Sequence, residues 1–274
     1  MAALKLAGVQ SRYCSTKSAE FPDVLRLPAD FVIAAGGDGT VAKVIKNMPD
    51  REIPVAIVPL GTANNIARSV GISGAAHELS ESWDLQDWRP FDVGVARGPW
   101  GLGNFVEAVG LGPLAKLMKK SKADALDGAA RLAAGRLALR KELAKAEPMA
   151  AEIAIDDEPL AMEGMLAIEF VNTTYTGPGL PLPAAACPGD GMLGIICIGE
   201  REREAMLSWL EAPHTEPMPV IAARGRRIDF TWKGTPLRLD DRPIKGTREP
   251  RSGTVEIEII PARLMAPHRS IDRG

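Results

Sequence analysis

Five consecutive residues near the N-terminus combine glycine, a carboxylate and a hydroxyl: Gly36, Gly37, Asp38, Gly39 and Thr40. Glycine lets the backbone adopt positive φ and lets a bulky anion approach the N–H groups. A carboxylate beside phosphates repels them unless a divalent cation lies between. These residue types therefore indicate a phosphate-binding turn in which Asp38 acts through magnesium. The alternative is a tight Asp-Gly turn with Thr40 capping a helix, and the five residues alone leave both open.

A strand precedes this turn and a helix follows it. The apolar run 31–35 has no polar alternation, which is typical of a strand covered on both faces in a parallel sheet. From Val41 to Met48, apolar residues recur at steps of three and four, which is the period of a helix. The N-terminus of a helix carries roughly half a positive charge. It would therefore strengthen the attraction of the turn for phosphate.

A second unit of the same kind follows. The apolar run 55–60 leads into Gly61, Thr62 and Asn64, and helical periodicity resumes at Ile66. Two strand–turn–helix units in succession place both turns at the carboxyl ends of adjacent parallel strands, where open α/β sheets bind ligands. We therefore expect the second turn to lie beside the first.

The two turns together resemble those of a known family. GGDGT at 36–40, followed by PLGTANN at 59–65 and IARSVGI at 66–72, resembles the diacylglycerol kinase catalytic domain family, the bacterial lipid kinases related to sphingosine kinases. The resemblance implies ATP and magnesium as cofactors. It also implies that the N–H groups of Gly36 to Val41 hold the phosphates, and that Gly61, Thr62 and Asn64 contact the nucleotide.

The same resemblance implies two domains. An α/β, three-layer nucleotide-binding domain of the NAD kinase and diacylglycerol kinase type is expected at 1–92 plus about 258–274, because the last strand of family members crosses back. A mainly β, sandwich-like lipid-substrate domain is expected at 93–257, with a helical insertion at 113–146. Residues 1–30 lack the Asn-Pro turn and glycine-rich loop with which members begin, so that element is either truncated or discarded.

A strand at 236–239 leads into Asp240, Asp241, Arg242 and Pro243. The family pattern here is Asp-Gly-Glu-Pro, and the resemblance implies that Asp240 is the general base on the lipid hydroxyl, beside Asp38 as the second catalytic carboxylate. A carboxylate cannot deprotonate a hydroxyl in advance, so it would orient the hydroxyl and take the proton as the bond to phosphorus forms. The alternative is that Asp240 and Asp241 form a hairpin turn.

The segment 187–194 resembles an acidic motif of the family that binds a structural magnesium. Its leading Asp is replaced by Cys187 and its trailing Asp by Gly194, so Asp190 is the remaining carboxylate. The resemblance implies Asp190 and the carbonyls of Cys187 and Met192 as ligands, a set that would bind weakly. The alternative is that Pro-Gly-Asp-Gly simply forms a turn between strands.

Composition excludes several classes. The chain has 274 residues, 46% of them hydrophobic, and a net charge of -2, so it can form two modest cores and gives no sign of a nucleic-acid partner. Three widely spaced cysteines and the lack of a long apolar run indicate a cytoplasmic protein with reduced thiols. Any contact with a membrane is therefore expected to be peripheral. The basic window 113–146 favours either such a contact or a solvated face.

We therefore expect an ATP-dependent lipid kinase that phosphorylates a hydroxyl of diacylglycerol or a related lipid. A first alternative is a non-catalytic nucleotide- or lipid-binding relative. It is favoured by the missing N-terminal loop and by Lys43, Cys187 and Arg242, which stand where the family pattern has acidic residues. A second is an NAD kinase, which shares the GGDGT turn but whose Asn-Glu motif is not recognisable at 59–65. The sequence leaves the lipid and a homodimer open.

Overall fold

A computed structural model of the chain describes residues 10–81, 88–117, 127–183, 187–244, 252–260 and 266–267. The first elements in chain order are α1 (Phe21–Val24), β1 (Val32–Gly36), α2 (Asp38–Asn47), β2 (Val55–Pro59), α3 (Asn65–Ser69), α4 (Ala76–Glu81) and β3 (Trp88–Arg89). Both predicted strand–turn–helix units are confirmed.

Strands β1 and β2 are parallel neighbours, with Val32 opposite Val55 and Gly36 opposite Pro59. Both strands therefore end at the same edge of the sheet, and the two glycine turns emerge side by side. Helix α2 buries its apolar side against this pair, and Ile45 is 1% exposed. Burying a side chain of this size contributes about 1.5–3 kcal/mol, which fixes the first turn over the end of the sheet.

The second part of the chain is an antiparallel sheet covered on one side by helices. Its elements are β4 (Val93–Gly98), β5 (Gly101–Phe105), β6 (Ala108–Leu111), α5 (Pro113–Leu117), α6 (Gly128–Ala144), β7 (Met149–Ile155), β8 (Glu158–Val171), β9 (Tyr175–Thr176), β10 (Leu180–Pro181), β11 (Leu193–Gly199), α7 (Arg203–Trp209), β12 (Ile221–Gly225), β13 (Arg227–Trp232), β14 (Leu237–Leu239), β15 (Arg242–Pro243), β16 (Gly253–Ile260) and β17 (Ala266–Pro267). The order β15-β14-β6-β8-β7-β13-β16-β4-β5 forms the sheet, with β11 also beside β8 and β12 beyond it. The short pairs β9–β10 and β3–β17 lie outside it.

This sheet curls around an apolar core. Phe170 and Phe230 stack with ring centroids 5.3 Å apart, and Trp100 meets Trp232 edge to face at 5.7 Å. A separate apolar cluster fills the space between the outer face of the sheet and helices α5, α6 and α7. The predicted combination of an α/β domain with a β-sandwich-like domain is confirmed. The helical insertion predicted at 113–146 corresponds to α5 and α6, with 118–126 outside the described residues.

The last strands connect the two parts. β16 lies in the large sheet along its whole length, with Ile260 opposite Val93. β17 then pairs with β3 and contacts β2, so the chain has returned to the first domain by residue 266. None of the helices in the described ranges is both long enough and apolar enough to cross a bilayer.

Candidate functional site

The two glycine turns touch each other through their backbones. A β-carbon added to Gly61 would lie 2.4 Å from Gly37 Cα, and one added to Gly37 would lie 3.0 Å from Gly61 Cα. Real β-carbons do not approach backbone atoms at the shorter distance, so Gly61 is required if this contact is kept, and at Gly37 a side chain would force a small shift. The two motifs therefore form one surface rather than two separate turns.

The first turn presents the N-terminus of α2. Gly37 caps the helix in an extended conformation, and its carbonyl accepts from Thr40 N at 2.9 Å and Val41 N at 3.1 Å. Those two N–H groups are therefore used inside the helix. The N–H groups of Asp38 and Gly39 belong to the first turn, which has no intrahelical acceptor and is where a helix binds an anion.

Asp38 lies between the starts of two helices. Its Oδ1 accepts a hydrogen bond from Ile66 N, in the first turn of α3, at 2.9 Å. Burial raises the pKa of Asp38 above its ordinary value, and backbone N–H groups at Ile66 and Asn65 partly offset the rise. The carboxylate thus fastens the second unit to the first while remaining beside the expected phosphate position.

The second turn is closed by its own asparagine. Asn64 has φ +50°, in the left-handed region, and its side chain accepts from Gly61 N and donates to Gly61 O, both at 2.9 Å. Thr62 Oγ1 accepts from Arg131 Nη1 of α6 at 3.4 Å. The turn therefore borders the helical layer of the second domain. Contacts of Thr62 and Asn64 with a nucleotide stay predictions.

Asp240 brings the second domain to this surface. It follows β14 with φ +50°, is 5% exposed, and its carboxylate accepts from three consecutive backbone N–H groups, those of Val106, Glu107 and Ala108, at 2.8–3.3 Å. Its Oδ2 also accepts from Lys46 Nζ of α2 at 2.7 Å. The hairpin that carries Asp240 is therefore packed against α2, and the oxygens of Asp240 are already occupied. The assignment as general base stays a prediction.

The other side chains of the β14–β15 hairpin diverge. Asp241 is exposed, and its Oδ2 lies 3.3 Å from where a β-carbon of Gly39 would be. Arg242 instead lies over β5, with Nη2 3.4 Å from the corresponding position at Gly103. No ion pair joins Arg242 to Asp240 among the described residues. The carboxylate nearest to the first glycine turn from this hairpin is thus that of Asp241.

Lys43, a second departure from the family pattern, points away from this surface. Its Nζ donates to the carbonyl of Thr16 and lies 5.5 Å from the ring centroid of Phe21. It therefore fastens the N-terminal segment to α2, and its positive charge does not face the first glycine turn.

A cluster of buried charges lies behind Asp240. Arg238 is 1% exposed, and its Nη2 donates to Glu169 Oε2 at 2.7 Å and to Thr176 Oγ1 at 2.9 Å. Its Nη1 donates to the Asp240 carbonyl at 2.8 Å and lies 3.9 Å from Glu107 Oε1. One guanidinium thus faces two carboxylates in the interior, where an unpaired charge is costly.

Glu107 links this cluster to the second glycine turn. Its Oε1 accepts from Thr176 Oγ1 at 2.9 Å and from Gly177 N at 3.2 Å. Its Oε2 accepts from Asn65 Nδ2, at the start of α3, at 3.3 Å. Glu107 therefore holds α3, the β9 segment and the hairpin at 240–243 in one arrangement.

The charges around Glu107 shift its titration. Burial raises the pKa of Glu107 to about 7, and the positive Arg238 opposes the rise. The negative charges of Asp38 and Asp240 also contribute to this rise. Burial likewise raises the pKa of Glu169, against the effect of its bond to Arg238. The cluster can therefore hold a proton near neutral pH.

This cluster of buried charges was not predicted from the sequence. Its members are single charges inside apolar runs of the sequence: Glu107 in NFVEAVG, Glu169 in LAIEFV and Arg238 in PLRL. A lone charge in a run that is otherwise apolar rarely becomes buried without a partner. That signal marks each residue as unusual, but nothing local identifies which charge pairs with which.

The predicted metal segment forms a turn held by an arginine. The Asp190 carboxylate pairs with Arg224 of β12 and accepts from Met192 N at 3.0 Å, while the Cys187 carbonyl accepts from Asp190 N at 3.3 Å. Two of the three expected ligand groups are thus engaged in the turn, and a guanidinium stands beside the carboxylate. These residues therefore do not fit a structural magnesium.

The glycine turns suit a different kind of metal binding, in which the nucleotide supplies most of the ligands. Within the described ranges, no group of three or more His, Cys, Asp or Glu side chains could hold a metal by itself. Magnesium that arrives with a nucleotide needs only one or two carboxylates, because phosphate oxygens and water supply the rest. Asp38 fits that requirement.

Comparison with known proteins agrees with this geometry. The family model for the diacylglycerol kinase catalytic domain matches residues 3–96, and the model for the YegS C-terminal NAD kinase beta sandwich-like domain matches residues 116–258. The match of the first model covers both glycine turns. The match of the second covers the large sheet from β7 onward and the hairpin at 240–243, whereas β4, β5 and β6 precede it.

Similar proteins span most of the chain. A Klebsiella pneumoniae protein named probable lipid kinase YegS-like is 29% identical over 248 residues, 88% of this chain and 79% of that protein. A Mycobacterium tuberculosis diacylglycerol kinase is 23% identical over 220 residues, 77% of this chain and 70% of the relative. The crystal structure of a diacylglycerol kinase from Bacillus anthracis superposes with a TM-score of 0.67 at 17% identity, covering 98% of this chain and 92% of that one. The chain belongs to the diacylglycerol kinase catalytic domain family of lipid kinases.

Proposed function

We propose that this protein is an ATP-dependent kinase that transfers the γ-phosphoryl group to a hydroxyl of diacylglycerol or a related lipid. The observation that carries the proposal is the surface where the two glycine turns meet, with Asp38 beside the first turn of α2 and the hairpin at 240–243 of the second domain facing it. A phosphate-binding turn opposite carboxylates from another domain suits phosphoryl transfer, in which catalysis is mostly positioning and charge stabilisation.

ATP would bind with its phosphates at the start of α2. The N–H groups of Asp38 and Gly39 would donate to phosphate oxygens, and the close contact of Gly37 with Gly61 keeps side chains out of the way. Magnesium would be held by Asp38 together with the phosphates, where it would neutralise their charge. Asp38 would thereby keep the phosphates from being repelled by its own carboxylate.

A small apolar cavity of about 20 Å³ within the apolar cluster beneath α5, α6 and α7 marks where the second domain would have to open to admit a lipid. It lies between α6, α7 and the outer face of the large sheet, and its apolar lining includes Leu114, Leu139, Leu143, Leu180, Ile196, Ile198, Met206 and Met218. Glu169 and Thr176 of the buried cluster line it as well. An acyl chain would separate α6 from the sheet to enter, and its polar end would then lie toward Glu107 and the glycine turns.

Phosphoryl transfer from labelled ATP to lipid micelles tests this proposal. We expect the purified chain with magnesium to label at least one member of a panel of diacylglycerol, monoacylglycerol and sphingosine, and to release ADP in equal amount. Asp38→Asn should abolish transfer, whereas Asp50→Asn, which changes an exposed carboxylate after α2, should not. Leu139→Trp overfills the cavity, so in the temperature range where the variant is folded it should raise the KM for lipid and leave the KM for ATP unchanged.

The same assay separates the proposal from a non-catalytic relative. A binding protein would be stabilised against heat by ATP or by lipid but would release no ADP when both are present. That outcome would leave the family assignment intact and would overturn the proposed activity. Phosphorylation of NAD in place of lipid would overturn it in favour of the NAD kinase alternative.

A further inference from the structure

We propose that Asp241 is the catalytic base toward the lipid hydroxyl, and that Asp240 builds the turn that presents it. The inference rests on the proposed function and departs from the assignment of Asp240 that the sequence resemblance implies. It follows from how the two neighbouring carboxylates are used.

The Asp240 carboxylate has little capacity left. A carboxylate offers about four lone-pair positions. Oδ1 of Asp240 accepts from the three N–H groups at 106–108, and Oδ2 accepts from Lys46 Nζ at 2.7 Å and, more weakly, from Val106 N at 3.2 Å. The residue is 5% exposed. A substrate hydroxyl would have to displace one of these donors to reach it.

A second Asp-Asp turn in the same protein uses its first carboxylate in the same way, although its second aspartate also has positive φ. In the β7–β8 hairpin, Asp156 has φ +49°, close to the +50° of Asp240, and its Oδ1 accepts from Arg226 N at 2.9 Å and Arg227 N at 2.8 Å. The following residue, Asp157, points outward and pairs with Arg227. In both turns the first aspartate satisfies backbone donors of a neighbouring segment and the second is free of that duty.

Asp241 differs from Asp157 in what it meets. No hydrogen bond or ion pair engages its carboxylate within the described part of the chain, and its Oδ2 lies 3.3 Å from where a β-carbon of Gly39 would be. Gly39 is in the first turn of α2, a ten-residue helix whose N-terminus faces the expected phosphates. Asp241 therefore reaches from the second domain to the edge of the expected phosphate position.

This placement fits one step of the reaction. The lipid hydroxyl oxygen forms a bond to the γ-phosphorus while the bond from that phosphorus to the β–γ bridging oxygen breaks, and its electron pair leaves with ADP. The hydroxyl proton passes to the Asp241 carboxylate and from there to solvent water. Such a base acts in the transition state and typically contributes 10²–10⁴-fold.

The test compares conservative variants in the lipid transfer assay. Dioctanoylglycerol micelles are the probe if the wild-type chain phosphorylates diacylglycerol in the panel. We expect Asp241→Asn to lower kcat about 100-fold or more, with the KM for ATP and the unfolding temperature close to wild type. Asp241→Glu should recover part of the activity. Asp157→Asn is the matched control, since it makes the same change in the other Asp-Asp turn, and should retain full activity.

Asp240→Asn completes the comparison. We expect it to lower the unfolding temperature while losing less kcat than Asp241→Asn, measured where every variant is folded. Full activity of Asp241→Asn, with a large kcat loss and no loss of stability in Asp240→Asn, would overturn the inference and leave the proposed function standing. Absence of transfer by the wild-type chain to every lipid would overturn both.

Discussion

Asp240 and Asp190 stand where the family resemblance places acidic motifs, and each pairs with a basic side chain, yet their surroundings differ. Asp240 is 5% exposed, accepts from three consecutive backbone N–H groups and pairs with Lys46 of the other domain. The Asp190 side chain is 29% exposed, accepts from Met192 N and pairs with Arg224 of the adjacent strand. The first carboxylate joins two domains at the candidate site, and the second closes a local turn.

These surroundings show what the replaced acidic residues mean for each of the two motifs, at 187–194 and at 240–243. At 240–243 the Asp240 carboxylate makes its bonds to three backbone N–H groups and to Lys46 although the positive Arg242 is two residues away. At 187–194 the acidic neighbours are gone and Arg224 supplies positive charge beside Asp190. A buried ionic group is costly to leave unpaired, whereas an exposed one is screened by water. The two motifs should therefore respond very differently to the same substitution.

The largest effect is expected from removing the two carboxylates themselves. Asp240→Ala leaves three backbone donors and Lys46 without their acceptor in the interior, so we expect it to lower the free energy of unfolding by about 3–5 kcal/mol. Asp190→Ala removes a half-exposed pair and should cost about 1 kcal/mol or less. Urea denaturation followed by circular dichroism measures both. Equal losses in the two variants would contradict the comparison.

What could be predicted from the sequence was local. The glycine turns follow from runs of a few residues, since strand, turn and helix periods lie within 31–48 and 55–70. The backbone contact between Gly37 and Gly61 could not be derived, but adjacency of the two turns could, because successive parallel strands tend to be neighbours.

What could not be predicted was the pairing of distant charges. Lys46 and Asp240 are 194 residues apart in sequence, and Arg238 and Glu169 are 69 apart. Each stands in a segment whose pattern is otherwise apolar or amphipathic, so its burial depends on tertiary packing and not on local period. The sequence likewise marks Asp241 only as a turn residue. Its approach to Gly39 depends on how the second domain meets the first, which no local pattern indicates.

The next largest effect concerns pH, through the cluster behind Asp240. The pKa of Glu107 is raised from 4.5 to about 7 in the folded protein. Between these values the folded state keeps a proton that the unfolded chain has released, so the free energy of unfolding falls as pH rises through 4.5–7 and levels off above it. The size of this contribution is on the order of 3 kcal/mol, at about 1.4 kcal/mol for each unit of pKa.

Glu107→Gln tests that contribution, because an amide stays neutral at every pH. We expect the free energy of unfolding of the variant to fall less than that of wild type between pH 5 and pH 7.5. At pH 7.5 it should equal or exceed the wild-type value. Thermal unfolding across this range measures the difference. Glu216→Gln, which changes an exposed carboxylate, is the control and should run parallel to wild type. A parallel curve for Glu107→Gln would contradict the assignment.

A smaller effect is expected from removing the basic partners. Lys46→Met takes away one donor of Asp240 but leaves its three backbone bonds, so we expect a loss of about 1–2 kcal/mol. Arg224→Met exposes the Asp190 carboxylate to water and should cost less than about 1 kcal/mol. Kinetics add a second readout, because Lys46 joins α2 to the hairpin that carries Asp241. Lys46→Met should therefore also lower kcat, whereas a variant with wild-type kcat would show that this pair does not position the hairpin.

The smallest effect is expected from magnesium without nucleotide. Since the Arg224 guanidinium pairs with the Asp190 carboxylate and the Cys187 carbonyl accepts from Asp190 N, the turn at 187–192 does not need a cation to balance its charge. We expect the unfolding temperature of the wild-type chain to be the same in magnesium and in EDTA. Arg224→Met frees the carboxylate, so any stabilisation by magnesium should emerge in that variant and disappear again in Arg224→Met combined with Asp190→Asn. A clear stabilisation of the wild type by magnesium alone would instead show that the turn binds a metal despite the arginine. Asp190 would then belong to a binding site, as Asp240 does, and the contrast between the two motifs would fail.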